Sequence, residues 1–437
     1  MLYYSLNKKS PVVDFKEATI NGQAPDKGLY FPEVIPILPH DFVAEINSYS
    51  KTEIALQVIQ PYVADTIPQK ELRRIVEETI DFDFPLVEIT DSISSLELFH
   101  GPTLAFKDVG ARFMSRCLGY FVQDNNQRVT VLVATSGDTG GAVANGFYGV
   151  DGVDVVILYP SGKVSSIQEL QLTTLGKNVT ALEIDGRFDD CQQLVKQAFG
   201  DEELNRQMFL TSANSINVAR WLPQQFYYFF AYKQWQQNDN PPVICVPSGN
   251  FGNICAGMLA HESGLPVQHF IAACNANDIV TSYLQNGNYQ PKQAVATLSN
   301  AMDVGNPSNF VRILEMFEQE FDSLKGKLSS YSITDEETRK AIGDVYRQYD
   351  YLLDPHGAVA YTGLERYLKD HPGQQGFILE TAHPVKFPDA VEAIINRRIE
   401  VPQSVSYLLD KEKKSIKMKA DYQQLKEYLL SKEVTAI

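Results

Sequence analysis

Short apolar runs and amphipathic stretches alternate along most of this chain. "RVTVLVAT" (128–135) is β-branched and apolar and ends in the glycine-rich "SGDTGG". The helical pattern "AVANGFYG" follows, then the apolar run "VDVVILYP" (153–160), the helical "SSIQELQLTTLG", the run "NVTALEID" and the amphipathic "FDDCQQLVKQAF". Farther on, "PVICVPSGNFGNICAGMLAHESG" (242–264) repeats apolar run, glycine turn and helix, and "QHFIAACNAND" opens another strand. Strands alternating with helices of about 10–15 residues predict crossover units and a mostly parallel sheet. Two such blocks, at 100–235 and 240–400, predict an α/β fold of two mostly parallel α/β domains facing a central cleft. Ligands in such folds sit at the carboxyl ends of strands, where the glycine turns lie.

Residues 1–90 have a different texture. Helical periodicity is interrupted by "PEVIPILP" (Pro32 to Pro39) and "QPYVADTIP" (Gln60 to Pro68), and prolines oppose long helices. The division expected is a small, mainly helical N-terminal domain (1–90), an α/β domain (91–235), and a second α/β domain with C-terminal helices (236–437). "FYYFFAYKQW" (226–235) reads as a buried helix, "TDEE" (334–337) as a capping box, and Lys27 to Tyr30 as a turn able to act as a lid.

Composition narrows the class. The 437 residues exceed one core, and 44% hydrophobic with 21% charged residues is ordinary for a globular protein. A net charge of -16 opposes nucleic-acid binding, which rests on clustered Lys and Arg. The basic run Lys411 to Lys419 reads as a solvated helix face. "MLYYSLNKKS" lacks the apolar segment of a secretory signal, and no stretch is long enough to span a bilayer. Five scattered cysteines without CxxC pairs suit reduced thiols and form no metal-site pattern. A cytoplasmic protein with no membrane, nucleic-acid or metal partner is expected.

Five motifs carry candidate chemistry. In "HGPTLAFKD" (100–108), Lys107 directly follows Leu104, Ala105 and Phe106. Three readings compete there: a snorkelling surface lysine, an ion pair with Asp108, or an amine used as a nucleophile. "PSGNFGN" (247–253) lies between an apolar run and a helix, so its amides and the helix dipole suit a phosphate. It matches neither nucleotide-binding glycine pattern. "ATSGDTGG" (134–141) brings Thr135, Ser136 and Thr139 to another helix start, an array suited to a carboxylate or phosphate. In "NSINVAR" (214–220), Asn214, Asn217 and Arg220 recur every third residue, and a helical turn would align them; Arg is the preferred fork for oxyanions. "ETAHP" (380–384) places Thr381 at a strand end, with His383 reading as a structural histidine. A desolvated amine, a lone-phosphate cradle and a strand-end hydroxyl together suit pyridoxal 5′-phosphate.

With these motifs, from about 80 to 400, the chain resembles the longer class of the threonine synthases, in the tryptophan-synthase-β-like family of pyridoxal phosphate enzymes. The resemblance implies that Lys107 bonds the cofactor aldehyde and acts as the catalytic base. It implies that Gly249, Asn250, Phe251, Gly252 and Asn253 hold the cofactor phosphate and that Thr381 faces the pyridine nitrogen. Thr135, Ser136 and Thr139 would take the substrate carboxylate, and Asn214 and Arg220 the substrate phosphate. The implied reaction turns O-phospho-L-homoserine and water into L-threonine and phosphate, in a chain leaning towards a monomer. Asp138 departs from the pattern, because many relatives place there an asparagine that contacts the cofactor's phenolic oxygen. An ionised aspartate accepts hydrogen bonds and donates none. Two alternatives stay open: a phospho-lyase giving 2-oxobutyrate from the same substrate, and a non-catalytic protein that binds the cofactor or a phosphate.

Overall fold

The computed structural model describes residues 1–123, 128–236 and 240–434. Its N-terminal layer opens with a small antiparallel sheet of β1 (Leu2–Ser5), β2 (Val13–Asp14) and β3 (Tyr30–Pro32), with β1 in the middle. The same layer contains the helices Phe15–Asn21, which packs on this sheet, Lys51–Val63 and Gln69–Thr79. The prolines shorten these helices less than expected. Lys51–Val63 runs for 13 residues and takes Pro61 into its last turns. A Ser50–Glu53 capping box starts it, and burial of Ile54, Ala55, Val58, Ile59 and Tyr62 outweighs the lost backbone bond.

Next comes an antiparallel hairpin, β4 (Leu86–Thr90) and β5 (Ile93–Glu97). β6 (Val129–Ala134), β7 (Val153–Pro160), β8 (Val179–Asp185) and β9 (Phe209–Thr211) form one parallel sheet. β10 (Val243–Pro247), β11 (His269–Cys274), β12 (Leu328–Ser332) and β13 (Gly376–Glu380) form another. A final strand, β14 (Ile416–Lys419), precedes the helix Tyr422–Val434. Their apolar runs are nearly continuous because helices cover both faces; all residues of β10 are buried.

The sheets do not respect linear boundaries at 90 and 235. The second sheet runs β12-β11-β10-β13-β5-β4, so it recruits the early hairpin. The first runs β14-β8-β7-β6-β9, so it recruits a strand from the chain's end. The basic run 411–419 is therefore no helix face. "IKMK" pairs in parallel with β8, and Lys413 bridges Glu169 (2.6 Å) and Glu183 (2.9 Å). The aromatic helix Gln225–Gln234 is buried from Gln225 to Ala231, and Thr334 and Glu337 form the capping box.

Candidate active site

Backbone pairing draws the Lys107 segment to the end of β13. Phe106 N donates to Thr381 O (2.9 Å), His383 N donates to Leu104 O (3.0 Å), and Ala105 bridges Ala382. Lys107 then opens the helix Lys107–Val122. Asp108 turns back on the loop, accepting from Thr103 N (2.9 Å) and from the Thr103 hydroxyl. Burial pushes the Asp108 carboxyl up against those bonds. Among the described residues Lys107 forms no ion pair with it, which removes one of the three readings of that lysine. Lys107 is only partly exposed. Burial holds its pKa down; the Asp138 carboxylate opposes this, and the charges of Lys386 and Arg220 reinforce it. An amine so placed keeps more of its neutral, basic form.

The second element is the turn after β10. Gly249 packs so closely that an added Cβ would lie 2.6 Å from Met302 Cα. Phe251 takes φ +61° at the start of the helix Gly252–Glu262, and no side chain caps that helix. Its first amides therefore lack an intrahelical acceptor. Asn253 adds a donor. Tyr228 Oη donates to its Oδ1 (2.7 Å), while its buried Nδ2 has no partner among the described residues. Uncapped amides and one orphaned amide donor at a helix N-terminus fit a phosphate monoester. The Asn250 side chain braces the turn instead: its Nδ2 donates to Ser215 Oγ (3.2 Å) and its Oδ1 accepts from Ser308 N (2.6 Å).

The third loop follows β6. Thr135 Oγ1 accepts from Gly137 N and Gly140 N, both at 2.9 Å, so this buried hydroxyl holds the loop from below. Ser136 and Thr139 are partly exposed on the same turn. Asp138 is buried, with Gln168 Nε2 donating to its Oδ1 at 2.8 Å. Lys386 Nζ lies at 2.8 Å from the same oxygen.

"NSINVAR" is less regular than its spacing. Only Val218–Trp221 is helical, Asn214 lies before it, and Asn217 caps it while donating to Thr19 O (2.8 Å). The three side chains therefore do not share a helical face, because the N-cap residue is already extended. Arg220 is buried; its Nη1 donates to Ala213 O (2.8 Å) and its Nε has no partner among the described residues. Burial lowers it to about 10, so it stays a cation at neutral pH. Arg312, also buried, donates to the carbonyls of Tyr30 (3.0 Å), Ser215 (3.0 Å) and Ile216 (2.7 Å). His383 caps the turn Pro384–Lys386, and burial lowers it to about 4, a structural role.

Four strand ends thus converge, and they are joined by Arg312 and Lys386, which lie in no quoted motif, and by Ser215 and Tyr228, which lie inside "NSINVAR" and the aromatic helix but have no legible role there. The only sequence signal for Lys386 is a lysine inside the apolar "PVKF" directly after "ETAHP".

A family model described as pyridoxal-phosphate dependent enzyme matches residues 95–379. Models described as threonine synthase N terminus and threonine synthase, C-terminal match 2–80 and 357–429. The chain is similar to the threonine synthase of Escherichia coli (strain K12), 42% identical over 99% of this chain and 100% of that one. A crystal structure of threonine synthase from E. coli superposes with a TM-score of 0.91 over 99% of this chain and 100% of that one, at 42% identity. One of PLP-bound threonine synthase from Brucella melitensis does so with 0.92 over 99% of both, at 35% identity.

Proposed function

The chain belongs to the threonine synthase family of pyridoxal-phosphate-dependent enzymes, and from that premise we propose that it converts O-phospho-L-homoserine and water into L-threonine and inorganic phosphate. Its cofactor is pyridoxal 5′-phosphate, and the reaction is a carbon–oxygen lyase step of threonine biosynthesis. The observation that carries the residue-level reading is Lys107, a desolvated amine beside Thr381 and within the field of Asp138.

Bound, the cofactor supplies an electron sink that makes hydrogens on neighbouring substrate carbons removable. Lys107 would hold its aldehyde, the turn Gly249, Asn250, Phe251, Gly252 and Asn253 its phosphate, and Thr381 its pyridine nitrogen. A threonine hydroxyl partners a pyridinium less strongly than a carboxylate does, which suits replacement chemistry better than transamination. The helix start bearing Ser136 and Thr139, with Thr135 beneath, would orient the substrate carboxylate. Asn214 and Arg220 would hold the substrate phosphate. Lys107 would serve successive carbons one proton at a time. It would take the Cα proton and pass it to the bound cofactor, then take one from Cβ as that electron pair expels phosphate with the Cγ–O electrons. It would give this proton to Cγ once phosphate has left, and return one to Cα at the end. Water completes the reaction at Cβ. One mobile amine suits several transfers at adjacent atoms.

Incubation of the holoenzyme with O-phospho-L-homoserine should yield threonine and phosphate in equal amounts. Release of 2-oxobutyrate in place of threonine would overturn the reading. Lys107→Ala should abolish turnover while circular dichroism shows the fold retained, and near wild-type turnover would remove Lys107 from the mechanism. The chain is further proposed to be a cytoplasmic monomer that acts on this small molecule and not on nucleic acid. The compartment and the lack of nucleic-acid binding are supported by the charge of -16, five buried, unpaired cysteines, and the absence among the described residues of a helix long and apolar enough to cross a membrane, while the monomer rests on the family resemblance alone.

A further inference from the structure

Lys386 is fully buried, although lysine is among the residues least often found so. It ends the turn Pro384–Lys386, just past Thr381. Its ammonium donates to Thr103 O (2.7 Å) and pairs with Asp138 Oδ1 (2.8 Å). Three motifs therefore meet on one cation: the loop before Lys107, the glycine turn after β6, and the segment after β13. Neither charge of the pair can be removed alone without leaving the other stranded in the interior.

The position of Asp138 gives that pair its significance. An ionised carboxylate supplies acceptors only, whereas an amide in its place would bring its own donor and no charge. Burial pushes the Asp138 carboxyl up, but the charges of Lys386 and Lys107 and the bonds from Lys386 and Gln168 outweigh it and hold it well below the usual range. The carboxylate is thus ionised, with Lys386 as its counter-ion.

We infer that Lys386 is a positioning residue: its ammonium fixes the Asp138 carboxylate at the helix start beside Lys107, and the balance of the pair sets how readily Lys107 takes up and releases protons. This rests on the proposed reading of Lys107. The charged and titratable groups around the two lysines are Asp138 on the helix Asp138–Phe147, Asp108 on the helix of Lys107, Arg220, Tyr227 and His383. Asp108 is bonded to Thr103, Tyr227 donates to Phe106 O, and His383 is neutral at pH 7. Arg220 is a fixed cation, so the adjustable balance lies between Asp138, which favours a charged Lys107, and Lys386, which opposes it.

The pH at which the bound cofactor's visible absorbance changes reads this balance without substrate. Measured on the cofactor-loaded protein, Asp138→Asn should lower that pH by about one unit or more, because an unopposed Lys386 disfavours a second cation. Lys386→Met should raise it by a similar amount, and the double variant should return close to wild type. Shifts of the same sign in both single variants, or no shift with cofactor still bound, would overturn the proposal. Should Lys386→Met fail to fold, Asp138→Asn decides: a downward shift supports the proposal and an unchanged pH sinks it. Product analysis with O-phospho-L-homoserine is separate, so failure of the proposed reaction would show there and not in this titration.

Discussion

Arg220 Nε and Asn253 Nδ2 are buried donors that no acceptor among the described residues meets, and the two residues should fail in different ways. The turn at Asn253 offers amides without a cation, which suits a permanently held phosphate. Arg220, the last residue of "NSINVAR", keeps its charge, and in the proposed reaction that charge would meet the negative charge a departing phosphate gains. Arg220→Ala should therefore cut kcat/KM for O-phospho-L-homoserine by roughly 10²-fold, leave cofactor content unchanged and relieve inhibition by inorganic phosphate. Asn253→Ala should lose cofactor first. Cofactor occupancy and phosphate inhibition measured in both variants check this, and cofactor loss in the Arg220 variant with phosphate sensitivity intact would reverse the assignment. Lys107, Thr381 and the Gly249 turn could be singled out in the sequence because each lies where an apolar run gives way to a turn or helix. Lys386 could not, and Ser215 had no legible role inside "NSINVAR", since their partners Asp138 and Asn250 are distant along the chain. The three-residue spacing of Asn214, Asn217 and Arg220 misled because Asn217 serves as an N-cap.

Between elements, Arg312 joins the N-terminal strand β3 to the "NSINVAR" loop and the turn after β10. It carries five donors and meets no carboxylate among the described residues; besides the three carbonyls it donates to Asn309 Oδ1 (2.7 Å), and its guanidinium stacks 4.2 Å from the Trp221 ring centroid. Asn309 in turn donates to Asn250 O (3.2 Å) and Ser215 Oγ (3.1 Å). Arg312→Met would strand those buried carbonyls, at a cost of about 3 kcal/mol. The apoprotein's thermal midpoint should then fall by roughly 3 °C, and an unchanged midpoint would show that the three segments hold together without it. The strands and helices between 128 and 278 were legible because β-branched apolar runs, glycine turns and amphipathic stretches follow one another without ambiguity. The exposed edge strand β14 was not: its lysines hide a period-two pattern inside what reads as a charge run. The N-terminal sheet was missed because its strands are only 2–4 residues long.

At the scale of the molecule, each large sheet takes edge strands from the opposite part of the chain. The C-terminal arm is fastened by β14, by Lys426 on Asp201 (2.9 Å), and by Leu425 and Leu429, buried against Leu182, Ile184 and Leu194. Leu425→Ala should destabilise this sheet by about 2–5 kcal/mol. Thermal unfolding should show the loss while turnover at low temperature persists, and an unaltered unfolding curve would mean the arm is not part of the cooperative unit. The two-domain α/β plan could be read from the alternation of elements, but the exchange could not, because a parallel strand's neighbour is set by long-range packing. That exchange also dates the completion of the fold on the ribosome. The outer edge of β8 stays unpaired until β14 emerges about 230 residues later, roughly ten to fifty seconds at ordinary elongation rates. For that interval the nascent chain presents an open backbone edge to its surroundings, so slow translation of the second half would favour misassembly between neighbouring copies.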